Sequence, residues 1–401
     1  MRKFQPKQQL GVGGLKISAL EKRYVNQALN NNRLSYGPFS RRFERDFARL
    51  HSAKHAVLSN SGTSSLQVAL AALKEKYGWS NGDEVIVPAI TFVATSNIVL
   101  MMNMTPVFVD VDRKTYNINP ELVESKITSR TRAIIPVHMF GLPADMKAID
   151  ELARNHNLRI IEDSCETMFV KVHGKPVGSH GDVGCFSTYV AHFLVTGVGG
   201  LSITNNDELA VIMRSLVNHG RDGIYLSIDD DANRRGQELE MIIERRFSFI
   251  RLGYSYRVTE LEAALGVAQL QTKNSIIKSR RRNAHYLIKG LMPLQQAGKL
   301  QLPYTPDYAE HAFMLFPVVV SDPGVHRNEL TLYLEEHMIE TRPMMPLVNQ
   351  PFYVKLFGEM EHEYPVAQWI NKNGFYIGCH QQFGKAELDY IISTFRDFFR
   401  Q

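Results

Sequence analysis

His55-Ala56-Val57-Leu58-Ser59 runs straight into Asn60-Ser61-Gly62-Thr63-Ser64-Ser65, and this junction decides the fold class. A short β-rich run meets a Ser/Gly/Thr turn, and residues 63–76 then follow a helical period. A strand that feeds a helix through so short a turn reads as the start of a βαβ unit. The alternation continues downstream. Glu84-Val85-Ile86-Val87-Pro88 reads as strand with helix to Met102, and Pro106-Val107-Phe108-Val109 as strand. Ala133-Ile134-Ile135-Pro136-Val137 is strand followed by helix through Ala153, and Arg159-Ile160-Ile161-Glu162-Asp163 is strand again. This pattern predicts an α/β fold with a mostly parallel sheet covered on both faces. Upstream, residues 20–50 read as helix, interrupted at Tyr36-Gly37-Pro38.

After Gly253 the character changes. Residues 259–289 form one long helical stretch, 313–320 a strand, 327–337 a helix and 385–399 a closing helix. This predicts a smaller α+β C-terminal domain. The chain is expected to divide into a large α/β domain, 1–255, and a small domain, 256–401, as its length of 401 residues allows.

Composition excludes several function classes. A net charge of +5 with no basic stripe of interleaved aromatics does not suggest nucleic acid. Apolar stretches such as 97–104 are far too short for a bilayer, so no membrane role is expected. Cys165, Cys185 and Cys379 lie far apart, with neither a zinc spacing nor a disulfide framework. No metal site is expected. Those thiols, and the absence of an apolar signal region in Met1-Arg2-Lys3-Phe4-Gln5-Pro6, fit a reducing cytoplasm. Asp229-Asp230-Asp231, ahead of Asn233-Arg234-Arg235-Gly236, is either a solvated loop or one that closes over a polar substrate.

Ligands of open α/β sheets sit at the carboxyl ends of strands. Asn60 to Ser64, Thr91 with Phe92, Asp163, and Ser187 to His192 all follow expected strands, so four segments converge on one crevice. Gly62 and Thr63 either help cap a helix or bind an anion at its N-terminus. Phe92 would be core in most proteins. Asp163 either caps the next helix or offers a carboxylate to a ligand. His138, His219 and His380 are structural histidines or site residues. Arg342 forms a surface ion pair or receives a carboxylate or diphosphate.

Many short anchors in order carry a resemblance over nearly the whole chain. They are Tyr36-Gly37-Pro38, Ser61-Gly62-Thr63, Thr91-Phe92-Val93-Ala94-Thr95, Pro136-Val137-His138 with Gly141, Glu162-Asp163, Gly181-Asp182-Val183-Gly184, Gly199-Gly200, Asn218-His219-Gly220-Arg221, Gly253-Tyr254 with Arg257, and Thr341-Arg342-Pro343. Together they resemble the DegT/DnrJ-type sugar aminotransferase family of fold-type I pyridoxal-phosphate (PLP) enzymes.

The resemblance implies PLP or pyridoxamine phosphate (PMP) as cofactor. Phe92 then matches the aromatic that stacks on the pyridine ring, and Asp163 the partner of its nitrogen. Gly62, Thr63 and Ser187 match phosphate contacts, and Glu166 a polar residue, often Gln, beside the ring hydroxyl. Ser255 stands where the second subunit usually offers Asn to the phosphate, which implies a homodimer with composite sites. His219, Arg221 and Arg342 fall on the substrate side.

His192 occupies the place of the Schiff-base lysine, at the same distance ahead of Gly199-Gly200. An imidazole cannot form a Schiff base with an aldehyde, but it can move a proton near neutral pH. This histidine implies the branch of NDP-4-keto-6-deoxyhexose 3-dehydratases, which remove the C3 hydroxyl on the way to 3,6-dideoxysugars such as those of lipopolysaccharide O-antigen. Three dispersed cysteines cannot supply the usual four ligands of an iron–sulfur cluster, so the cluster-free type is expected, with L-glutamate as amino donor. Phe193 departs from that branch, where a second histidine tends to follow the first. The alternatives are a sugar aminotransferase-like enzyme with another reaction and a catalytically silent binding homologue. The retained cofactor residues argue against silence.

Overall fold

The computed structural model describes residues 4–223 and 231–400. Seven strands form the main sheet: β1 (His55–Ser59), β2 (Glu84–Pro88), β3 (Thr105–Val109), β4 (Thr131–Ile134), β5 (Arg159–Asp163), β6 (Val183–Ser187) and β7 (Gly200–Thr204). Their order is β1-β7-β6-β5-β4-β2-β3. The pairs β2–β3, β2–β4, β4–β5 and β5–β6 are parallel. Only β7 runs against both its neighbours, β6 and β1. The connection from β6 to β7 contains no helix, so the chain returns beside the strand it left, as an antiparallel partner must. The sheet is mostly parallel, as the sequence predicts.

The first helix after β1, Gly62–Tyr77, is capped at one end by Ser61, whose hydroxyl accepts from the Ser64 N–H. At the other end Gly78 adopts φ +63°, the left-handed conformation that closes many helices. Leu66, Ala69, Leu70, Ala72 and Leu73 are fully buried against the sheet and the helices Ala94–Met101 and Asp207–Val217. Its N-terminus is thus held fast at the carboxyl end of β1.

The strand expected over 313–320 begins at Phe316, and two further elements differ from expectation. The strand expected over 133–137 ends at Ile134. Pro136 has no N–H for the ladder, and only an isolated bridge from Val137 to Asp163 continues it. The single helix expected over 259–289 is two, Glu260–Leu270 and Lys273–Gln296. At the break, the Thr272 hydroxyl donates back to the Gln269 carbonyl at 3.0 Å. The Gln269 side chain also clamps both the N–H and the carbonyl of Val195, at 2.7 and 2.8 Å.

The C-terminal part builds a second sheet of β8 (Leu300–Gln301), β9 (Phe316–Val320), β10 (Arg342–Pro343) and β11 (Gly374–Ile377), ordered β8-β9-β11-β10 and antiparallel throughout. Helices Lys273–Gln296 and Lys385–Phe398 pack on each other beside it. Leu287, Leu291, Phe316, Leu330, Phe375 and Phe395 form a hydrophobic cluster separate from that of the main sheet. Leu10, at the other end of the chain, joins this second cluster and bridges to Ile339. No described helix is long and apolar enough to cross a membrane. Of the acidic run, Asp231 pairs with Arg246. Asp229 and Asp230 lie outside the described residues, as do Met1, Arg2 and Lys3.

Candidate active site

At the end of β1, Gly62 opens its helix with no room for a side chain beside it. A Cβ there would stand 2.7 Å from Ser187 Cβ and 2.8 Å from Cys165 Sγ. Gly200 is equally tight, with a Cβ only 2.3 Å from the Ser61 carbonyl. Glycine at both places lets three segments close on one helix N-terminus, whose first N–H groups have no partner within the helix. Gly62→Ala is expected to weaken binding of a phosphorylated cofactor about tenfold or more. Titration of the protein with PLP, followed by absorbance, checks this, and unchanged affinity would remove the helix end from the phosphate site.

Asp163, the last residue of β5, is buried. Its Oδ2 accepts from the Thr95 hydroxyl at 2.8 Å and its Oδ1 from the Cys165 N–H at 3.2 Å. Thr91 shares a 2.8 Å hydroxyl contact with Thr95, so the segment after β2 aims this carboxylate. Burial raises the Asp163 pKa, opposed by the bonds from Thr95 and Cys165. An adjacent cation would reverse that shift. Burial, reinforced by the charge of Asp163, also raises Glu166 to about 8, while the Phe140 N–H that it accepts at 2.7 Å works against this. Near neutral pH Glu166 is thus mainly a carboxylic acid with a proton to donate. Phe92 is 60% exposed, a bare aromatic face where a core residue would be covered.

His192 lies in the turn between β6 and β7, half-buried. Its N–H donates to the Tyr189 carbonyl at 2.9 Å, and its Nδ1 lies 3.1 Å from Ser187 Oγ. Thr188 and Thr196 close the turn with a 2.6 Å hydroxyl pair, and Gln269 fixes Val195. Burial pushes the imidazole down to about 4, helped by the charge of Arg280 and opposed by the Tyr189 carbonyl. Arg280 is itself buried, its Nη1 on the Met314 carbonyl at 2.6 Å and its guanidinium 5.0 Å from the Phe193 ring.

Asp163, Glu166, Gly62, Ser187 and His192 are thus linked by close contacts around one crevice, which also draws in Cys165. The remaining expected residues make other contacts. Ser255 is exposed and accepts from Arg257 at 3.0 Å. His219 is exposed at φ +62°, and Arg221 lies over Phe247 and Phe249. Arg342 pairs with Glu340 and lies on β10 beside Tyr376. Burial, with Glu166 nearby, raises the Tyr376 phenol, while Arg342 lowers it.

His138 is structural. Its Nδ1 accepts from the Ala144 N–H at 3.1 Å, so Nε2 donates to Glu162, also at 3.1 Å. His380 is buried in the second core, its Nδ1 taking the Gln382 N–H at 3.3 Å. Sequence reasoning missed Thr95, Cys165, Gln269 and Arg280 as parts of the site. Only Thr95 left a signal, as the last residue of the Thr91-Phe92-Val93-Ala94-Thr95 anchor.

The residues present fit PLP. A glycine cradle that a Cβ would fill, a buried carboxylate, a protonated acid and an uncovered aromatic face meet at the carboxyl end of the sheet. Fold and site define an enzyme of the fold-type I PLP-dependent class. The chain belongs to the DegT/DnrJ/EryC1/StrS aminotransferase family, whose sequence model matches residues 16–396. It is 32% identical to the lipopolysaccharide biosynthesis protein RfbH of Salmonella typhimurium, covering 96% of this chain and 91% of that one. It is also 32% identical to the GDP-perosamine synthase of Caulobacter vibrioides, covering 96% and 97%. The structure of E. coli GDP-4-keto-6-deoxy-D-mannose-3-dehydratase with bound hydrated PLP superposes with a TM-score of 0.87 at 26% identity, over 97% of this chain and 99% of that one. The family thus holds both sugar aminotransferases and 3-dehydratases.

Proposed function

We propose that this chain is a PLP/PMP-dependent dehydratase that removes the C3 hydroxyl of an NDP-4-keto-6-deoxyhexose. The observation that carries the reading is the imidazole of His192 in the turn after β6, beside Ser187 and held as the neutral base. When bound, PMP supplies an amine for the C4 ketone and a ring that takes up electrons as hydroxide leaves C3. Asp163 keeps the ring nitrogen protonated. Glu166 offers its proton to the ring hydroxyl, and Phe92 supports the ring face. Gly62, Thr63 and Ser187 bind the phosphate. His192 accepts and returns a proton at Nε2, where lysine would favour aminotransfer. The balance needs two electrons from L-glutamate, which ends as 2-oxoglutarate and ammonia.

The substrate side is assigned to Arg342, His219 and Arg221, and a second subunit contributes Ser255 to the phosphate. A homodimer is supported by the apolar surface next to Ser255, where Phe247 is 80% and Leu252 90% exposed, flanked by Phe249 and Ile250. Sedimentation is expected to show a dimer at micromolar concentration, whereas a monomer that binds PLP tightly would remove Ser255 from the site.

The resemblance to a perosamine synthase supports a second reading, aminotransfer to C4. Incubation with PLP, L-glutamate and a panel of NDP-4-keto-6-deoxyhexoses separates the two. Ammonia with a 3-deoxy-4-keto sugar is expected. A 4-amino sugar that keeps its C3 hydroxyl, without ammonia, would overturn the dehydratase reading.

A further inference from the structure

We propose that the Ser187 hydroxyl couples phosphate binding at the Gly62 helix end to the tautomer of His192, so that Nε2 becomes a free base only when the phosphate is in place. The inference rests on the reading of His192 as the base and adds a positioning role for Ser187.

The geometry sets the two contacts of the hydroxyl. Ser187 Oγ lies 3.1 Å from His192 Nδ1. It also lies 3.2 Å from where a Gly62 Cβ would be, so it stands over the first turn of the helix. The Tyr189 N–H reaches the same oxygen at 3.4 Å and occupies one acceptor position. A hydroxyl has one proton to give. With no anion at the helix end, that proton goes to Nδ1, the ring proton sits on Nε2, and Nε2 cannot accept another.

A phosphate changes the competition. An ionised oxygen is a stronger acceptor than a neutral imidazole, so it takes the hydroxyl proton. Oγ then accepts from Nδ1–H, and the Nε2 lone pair is released. The Ser187–Nδ1 contact is satisfied in both arrangements. The switch needs a neutral ring, and desolvation together with Arg280 keeps His192 neutral at pH 7. Among groups facing the ring, Arg280 carries charge, the Tyr189 carbonyl acts against it as an acceptor, and the Tyr189 ring lies edge-on at 6.1 Å.

The test uses the cofactor-free protein labelled with 15N in histidine, at pH 7, with His192 assigned by the signal lost in His192→Asn. Long-range 1H–15N spectra distinguish Nδ1–H from Nε2–H. In chloride, Nε2–H is expected. Inorganic phosphate at matched ionic strength should convert the ring to Nδ1–H, with a midpoint that follows phosphate binding by 31P line broadening. PLP in phosphate-free buffer should do the same and pyridoxal should not, which separates the phosphate from the ring as the source. Ser187→Ala, which loses one phosphate contact, should need more phosphate to saturate, and at saturation should show no tautomer change.

An unchanged ring with phosphate bound, the same conversion in Ser187→Ala or with pyridoxal, or no phosphate binding in large excess overturns the proposal. If Ser187→Ala does not fold, the wild-type titrations decide alone. A protein that switches tautomer yet releases no 3-deoxy sugar would refute the dehydratase reading and leave this inference standing.

Discussion

His192→Asn is expected to keep PMP and sugar binding and to lose elimination by about 10²–10⁴-fold, the usual contribution of a positioned general base. An amide fills the imidazole's volume but cannot take up the proton. The measurement is ammonia release together with 3-deoxy sugar by mass, beside a cofactor titration that shows the site intact. Turnover at the parent rate would remove His192 from the mechanism. His192→Lys is expected to attach PLP covalently, visible as a shifted absorption band, and to suppress 3-deoxygenation.

The pH profile gives an independent check on the same group. His192 must be neutral to accept a proton, and its pKa is pushed down to about 4. The rate attributable to it should therefore hold constant through the weakly acidic range and fall as pH drops through about 4. Stability follows the same sign. The unfolded chain takes up this proton near the ordinary 6.5, so His192 makes the fold less stable as pH falls through the window from 6.5 to about 4.

Asp163→Asn should leave PLP bound with its ring nitrogen unprotonated, because an amide cannot balance a pyridinium charge. The expected loss is ~100-fold or more in kcat, about 2.7 kcal/mol of barrier. The fold should survive, since Asn retains an oxygen for the Thr95 hydroxyl that now meets Oδ2 at 2.8 Å. Turnover and a thermal melt measured on the same preparation test both halves. Near-normal kcat would exclude Asp163 as the partner of the ring.

Local pattern carried far in this chain. β1, β2 and β5 occupy the residues read from their β-rich runs, because a strand covered on both faces is written as a largely apolar segment with turn residues at its ends. Gly62, Asp163, Glu166, Ser187 and His192 were legible because each ends or closely follows a strand and sits in a motif with fixed spacing. β7 escaped notice: its first residue, Gly200, looks like a turn, and it is strand because it lies between β1 and β6. The break between residues 270 and 273 was equally hidden, since a helical period continues across it.

The sequence by itself determined the α/β class, the run of strands and helices, and the chemical types in the crevice: a carboxylate, a glycine-opened helix, an aromatic and an imidazole in place of an amine. Only the tertiary structure decided how those groups act on one another. Arg280 and His192 lie far apart in the chain, yet the buried guanidinium acts on the imidazole. The pKa of Glu166, the aim of Asp163 by Thr95, and the hydroxyl shared between Ser187 and His192 arise likewise from burial and close approach. Desolvation and hydrogen-bond partners are properties of neighbours in space, and a pattern of neighbours along the chain does not contain them.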